Sequence, residues 1–82
     1  MKKVKISALT KREIDSVVDE ANFTDEQLAV FNALNKDKYY DYAIMRILSL
    51  PARKFYELKR IVLDKVERIS HQFGYDRAIG AT

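Results

Sequence analysis

The chain has 82 residues, of which 48% are hydrophobic and 33% are charged, and it carries a net charge of +3 at pH 7. This composition predicts one folded domain over residues 1–82, since a disordered chain would lack the apolar side chains that offset ordering entropy. The absence of cysteine excludes disulfides and thiolate nucleophiles and fits a cytoplasmic protein. No apolar stretch predicts a membrane span or a signal peptide.

The charge is unevenly distributed along the chain. Residues 1–35 contain five basic and six acidic side chains, whereas residues 36–82 contain ten basic and six acidic ones. A positive excess in one half is expected where one face of a protein meets a polyanion such as DNA. A lysine-rich, solvated surface would give the same count.

Two capping boxes predict the first two helices. Thr10 is followed three residues later by Glu13, and Thr24 by Gln27, so each hydroxyl can accept from a backbone N–H while the longer side chain reaches back. The apolar residues after each box recur at helical spacing, first Ile14, Val17, Val18 and Ala21, then Leu28, Phe31 and Leu34. We expect the second helix to end near residue 35.

A polar connection precedes a third helix, predicted over residues 40–48 with an inward face of Tyr40, Ile44, Ile47 and Leu48. Pro51 lacks an N–H and has a fixed φ, which favours the first turn of a helix, so a fourth helix begins there. Its apolar stripe predicts a continuous helix to about Gly74, roughly 33 Å long. The stripe consists of Phe55, Leu58, Val62, Val66, Ile69 and Phe73.

The predicted fold is therefore an all-α, four-helix domain whose ends, about residues 1–8 and 75–82, are flexible. The third and fourth helices have the spacing of a helix-turn-helix with a long C-terminal recognition helix. Such a motif needs an apolar pair on its first helix, a buried aliphatic in the turn, and apolar anchors early in the second helix. These positions are filled by Ile44 and Leu48, by Leu50, and by Phe55 with Leu58.

Burial of the stripe leaves a basic and polar face on the fourth helix, formed by Arg53, Lys54, Tyr56, Glu57 and Arg60. Arginine can bind guanine through two hydrogen bonds, glutamate can accept from cytosine, and lysine or tyrosine can hold phosphate. We expect base contacts from Arg53, Tyr56, Glu57 and Arg60 and a phosphate contact from Lys54. Lys38, in the polar connection, is a further DNA-binding candidate. An ordinary solvated helix face is the alternative.

Residues 23–69 resemble the region-four helix-turn-helix of sigma factors and, more closely, the small phage transcription regulators of the ArpU and RinA kind. The matching segments are TDEQ at 24–27, DYAIM at 41–45 and LSLPARKFYELKR at 48–60. The resemblance implies sequence-specific binding of double-stranded DNA at a promoter or operator, by a regulator encoded by a phage or mobile element, with no catalytic step.

Three positions depart from the pattern of these motifs. Met45 stands where a small alanine is usual, Ser49 where glycine is usual, and Pro51 where a serine or threonine cap is usual. If the turn requires a positive φ at Ser49, a strain of about 1 kcal/mol follows. These departures bear on the docking geometry more than on the fold.

An enzyme is not predicted, because the sequence has no nucleophile–base pair, glycine-rich phosphate loop or spaced ligand cluster. No cofactor or metal is expected, and His71, the only imidazole, has no ligand set around it. The main alternative is a protein-binding module on the same framework, directed at RNA polymerase or at a host-defence protein, as an anti-CRISPR is. The apolar residues over 61–73 are also consistent with a homodimer interface along this part of the helix.

Overall fold

The computed structural model describes residues 4–36 and 38–80. This part of the chain is all-helical, as predicted, and contains no strand. The elements in chain order are a 3₁₀ turn at Ile6–Ala8, α1 at Lys11–Ala21, α2 at Asp25–Asn35, α3 at Asp41–Ile47, α4 at Ala52–Phe73 and α5 at Asp76–Ile79. Each of these helices is too short or too polar to cross a bilayer.

Both predicted capping boxes are confirmed. The backbone N–H of Thr10 donates to the Glu13 carboxylate at 2.8 Å, and the N–H of Glu13 donates to the Thr10 hydroxyl at 3.2 Å. Thr24 and Gln27 exchange the same two bonds, each at 3.2 Å. Two orphan N–H groups are satisfied in each first turn, so α1 and α2 begin where the sequence predicts.

The core is built around α4, which packs against each of the other four α-helices. Its predicted apolar stripe is confirmed from Phe55 to Ile69, and both of these side chains are buried. The fully buried apolar side chains that meet there are Val17 of α1, Val30 and Phe31 of α2, Ile44 of α3, and Phe55, Val62 and Val66 of α4. Four shorter helices thus cover one side of the long helix, and the opposite face of α4 stays open.

The sequence-based burial was wrong at three positions. Tyr40 is 75% exposed because α3 begins one residue later, which leaves Tyr40 as an extended N-cap outside the helix. Ile47 is 59% exposed because the core covers α3 around Ile44, and Ile47 lies about 60° away around the helix. Phe73 is 41% exposed because it is the last residue of α4, where the chain turns away into α5.

Parts of the ends predicted to be flexible form short elements that pack on the domain, at Ile6–Ala8 and Asp76–Ile79. Ile6 is buried in the 3₁₀ turn and Ala78 is buried in α5. The backbone N–H of Lys5 donates to the Ala78 carbonyl at 2.6 Å, which joins the two ends of the chain. These segments are too short to show periodicity, so only their tertiary contacts order them. The rest of the predicted ends, residues 1–3 and 81–82, lies outside the described residues.

Candidate nucleic-acid interface

A tight turn at residues 48–51 connects α3 to α4. Ser49 has a φ of 55°, in the left-handed region, and the Leu50 N–H donates to the Met45 carbonyl at 2.8 Å. Positive φ thus occurs at the position where related motifs place glycine, and it costs a serine roughly 1–2 kcal/mol. Leu50 is half-buried against the core, as expected of the turn aliphatic. The chain therefore reverses sharply before the candidate helix.

A half-buried ion pair fixes α3 against one edge of α4. The Lys59 ammonium donates to both carboxylate oxygens of Asp41, at 2.9 and 3.0 Å. Asp41 is in the first turn of α3, where a negative charge also interacts favourably with the helix N-terminus. The pair ties the start of α3 to the middle of the basic segment of α4.

Helix α2 lies along the other edge of α4. The Lys65 ammonium donates to the Gln27 side-chain oxygen at 2.9 Å, and the Lys54 ammonium lies 3.7 Å from the Glu26 carboxylate. Lys54 and Lys65 are eleven residues apart, or about three helical turns, so they share one side of the helix. With α2 and α3 on its two edges, α4 leaves the face between them free.

The structure brings four of the six candidate residues together on this free face and places Lys54 at its α2 edge. All five side chains of α4 are exposed, and Tyr56 is 51% exposed. The candidates on α4 are Arg53, Lys54, Tyr56, Glu57 and Arg60. Lys38 is also exposed, but it lies before α3, where its ammonium is 5.4 Å from the centre of the Tyr39 ring. Lys38 thus belongs to a different part of the surface.

The basic side chains of the candidate face are weakly held by the protein itself. The Arg60 guanidinium is 3.8 Å from the Asp64 carboxylate, and both side chains are largely exposed. Exposed pairs of this kind contribute about 0.3–0.5 kcal/mol. No carboxylate in 4–36 or 38–80 forms an ion pair with Arg53. A ligand anion can therefore compete for these side chains at little cost.

The first turn of α4 is the only first turn among the described α-helices that lacks an acidic residue. Arg53 and Lys54 occupy the positions instead, although the partial positive charge of a helix N-terminus disfavours cations. The N-cap, Pro51, makes no side-chain cap. Free backbone N–H groups beside two cations suit an anionic ligand.

The remaining outward side chains of α4 are of mixed charge. Asp64 and Glu67 follow Arg60, and Arg68 and His71 complete this face. The basic character is therefore limited to the first turns of the helix. The apolar residues of 61–73 that suggested a homodimer seam are largely used within the chain: Val62, Val66 and Ile69 are buried and Leu63 is half-buried.

Sequence reasoning missed an exposed apolar surface on α3. Tyr42 is 63% exposed and, with Ile47, borders a shallow groove on the outer side of this short helix. The signal in the sequence is the group of three tyrosines among residues 39–42, of which Tyr40 is predicted to be a core residue. Only the observed start of α3 shows that they point outward.

Across residues 4–36 and 38–80, no group of three or more acidic or histidine side chains is placed to hold a metal ion. Comparison of the chain with protein-family models, curated proteins and solved structures gave no match. The resemblance of residues 23–69 to sigma region four therefore remains a prediction, and it rests on the motif residues alone.

Proposed function

We propose that this protein is a sequence-specific, double-stranded DNA-binding regulator of the kind encoded by phages and mobile elements, acting without a catalytic step. In this proposal α3, the turn at 48–51 and α4 form a helix-turn-helix, and the first turns of α4 enter the major groove. The observation that carries the proposal is the free basic face at the start of α4. This face follows a tight turn, and the helices packed on the two edges of α4 leave it uncovered. A recognition helix needs such an uncovered face to enter the major groove.

The side chains of this face divide into two roles. Arg53 and Arg60 are seven residues apart, about two turns, so both guanidinium groups can reach the base edges of one groove. Glu57 lies between them and can accept from cytosine N4, while Tyr56 reaches the neighbouring bases. Lys54, at the helix N-terminus, is suited to the phosphate backbone.

Charge makes the dominant contribution to affinity in this proposal. Each phosphate neutralised by Lys54, Lys38 or an arginine releases counterions. A plot of the logarithm of the binding constant against the logarithm of the salt concentration should therefore have a slope of about −0.9 per phosphate contact. A steep salt dependence on duplex DNA is therefore expected. An interaction that does not change with salt would favour a protein partner instead.

Selection from a random pool of duplex DNA, with the purified protein, tests the proposal directly. We expect an enriched motif, and a palindromic motif would indicate that two copies bind together. The matched control is the double variant Arg53→Ala/Arg60→Ala, which keeps Lys54 and should retain weak binding without enriching the motif. If the wild-type protein enriches no motif, the proposal is wrong.

A further inference from the structure

The outer side of α3 carries a groove that the DNA-binding proposal does not use. It has a volume of about 360 Å³ and is lined by Tyr39, Tyr42, Ala43, Arg46 and Ile47. Tyr42 and Ile47 are 63% and 59% exposed, so most of their apolar surface faces solvent. We call these five residues the α3 groove.

Folding does not account for the apolar character of this groove. Helix α3 is anchored by Ile44 on its inner side, and its outer side would be polar in an ordinary surface helix. Instead, four of the six large hydrophobic side chains exposed in the described chain lie in α3 or directly before it, namely Tyr39, Tyr40, Tyr42 and Ile47. Clustering of exposed apolar side chains marks an interaction surface.

The side chains of the surface are also partly ordered before any partner binds. The rings of Tyr40 and Tyr42 stack with centroids 5.9 Å apart and planes inclined by 7°. The Lys38 ammonium lies 5.4 Å from the Tyr39 ring centre. Tyrosines held in this way lose little entropy on binding, which is why rigid aromatic side chains are frequent at interfaces.

The charge around the groove is positive. Arg46 is the charged member of the lining, and no carboxylate among the described residues pairs with it. The carboxylate of α3 itself, Asp41, is held by Lys59 on the α4 side. With Lys38 beside Tyr39, the groove therefore matches a ligand that carries negative charge next to apolar groups.

The positive charge helps to distinguish three candidate ligands of the groove, which are a second copy of the chain, a nucleic acid and a segment of another protein. In a two-fold arrangement with a second copy, the same positively charged groove would face itself and would offer no carboxylate to Arg46. A single-stranded nucleic acid could stack a base on Tyr39 or Tyr42, but it would leave the aliphatic part of the lining, Ala43 and Ile47, without a matching apolar partner. A protein segment with aliphatic or aromatic side chains beside Asp or Glu matches both features.

We propose that the α3 groove is a docking site for such an acidic, apolar segment of another protein. The surface is separate from the basic face of α4, and the inference does not depend on DNA binding. A regulator with both surfaces could contact DNA through α4 and a protein through α3.

A library of short random peptides, selected on the purified full chain, provides the test. The enriched peptides are synthesised, their affinities are measured, and they are titrated into isotope-labelled protein. We expect apolar residues adjacent to Asp or Glu in the enriched sequences and amide shifts concentrated at residues 39–47. Tyr42→Ala and Ile47→Asp should each weaken binding about tenfold or more, as loss of a central interface residue does.

Two further variants make the test specific. Arg46→Glu should weaken the same peptides and recover affinity when their acidic residues are replaced by lysine, an outcome that requires direct charge pairing. Phe73→Ala removes an exposed aromatic side chain of α4 outside the groove and should leave binding unchanged. Circular dichroism of each variant verifies that it is folded. If the Ile47→Asp protein does not fold, Ile47→Ser is used in its place.

Several results would overturn the proposal. They are the absence of any enriched peptide, enrichment of peptides without acidic residues, and amide shifts outside residues 39–47. Binding of single-stranded oligothymidine to the same amides, in competition with the peptides, would assign the groove to nucleic acid. A wild-type dimer in sedimentation that Ile47→Asp dissociates would assign it to a second copy.

Discussion

The two halves of α4 use the same apolar stripe but present different outer faces. In the first half, residues 52–62, Phe55 is fully buried while Arg53 and Arg60 point outward with no acidic residue in the first turn. In the second half, residues 63–73, Val66 is equally buried, but the outer face mixes acidic and basic side chains. Burial is thus continuous along the helix, whereas the positive charge is not.

The two halves of α4 show that packing on the core and the charge of the outer face are separate constraints on this helix. The apolar stripe orients α4 on the core. This orientation needs only that the residues on the opposite side are polar, whatever their charge. The choice of basic residues at the helix N-terminus is not explained by stability, since cations are disfavoured there. A ligand is a better explanation for the first half, and solvation is sufficient for the second.

The largest expected effect is on the stability of the core. Phe55→Ala should lower the free energy of unfolding by about 3–5 kcal/mol, because it leaves a cavity at a fully buried site. Phe73→Ala, at the other end of the helix, should lower it by only about 1 kcal/mol, because 41% of this side chain is exposed and it lies against the Tyr75 ring. Urea denaturation followed by circular dichroism measures both. Equal losses would show that the last turn of α4 is packed like the first.

The next effect concerns DNA affinity. Arg53→Ala and Arg60→Ala should each weaken binding to the selected motif by about 1–3 kcal/mol, the usual loss for an arginine that reads a base. Arg68→Ala, an exposed arginine of the second half, is the matched control and should have little effect. Fluorescence anisotropy with the motif and with a scrambled duplex distinguishes the roles. The same loss on both duplexes would contradict base reading.

The two turns that flank α4 allow a finer comparison. Both contain a residue with positive φ, Ser49 at 55° before the helix and Gly74 at 74° after it. Gly74→Ala should destabilise the protein by about 1 kcal/mol through backbone strain alone, since nothing lies within 4 Å of the added Cβ.

Ser49→Gly should have the opposite sign. Removal of the strain at Ser49 stabilises the folded state, but the added freedom of glycine in the unfolded chain offsets part of this, so the net gain is below about 1 kcal/mol. Thermal unfolding of the two single variants and the double variant measures both effects. A loss of stability in Ser49→Gly would mean that the serine side chain has a role in the turn.

The smallest effect is expected at Ser70, in the second half. Its hydroxyl is fully buried and has no hydrogen-bond partner in the described part of the chain. Ser70→Ala removes an unsatisfied polar group and improves helix propensity, so we expect a gain of about 0.5–1 kcal/mol. Ser70→Val is the control and should be destabilising because it overfills the site. A destabilised Ser70→Ala protein would show that the hydroxyl is bonded in solution.

The sequence was sufficient to predict those parts of the fold that depend on interactions between residues close together in the chain. The capping boxes at Thr10 and Thr24 placed the starts of α1 and α2, because the residues that form them are three positions apart. The long stripe of α4 and the proline before it placed the longest helix to within a residue at each end. The exposed candidates Arg53 and Arg60 followed from the same periodicity.

Only the tertiary structure decided what covers each face. Tyr40 and Ile47 are apolar enough for a core, yet Tyr40 lies before the start of α3 and Ile47 lies on a side of α3 that no other segment buries. The chain ends lack periodicity, yet Ile6 and Ala78 are buried because the two end segments contact each other. Periodicity reports which residues share one side of a helix, and burial depends on which other segment reaches that side.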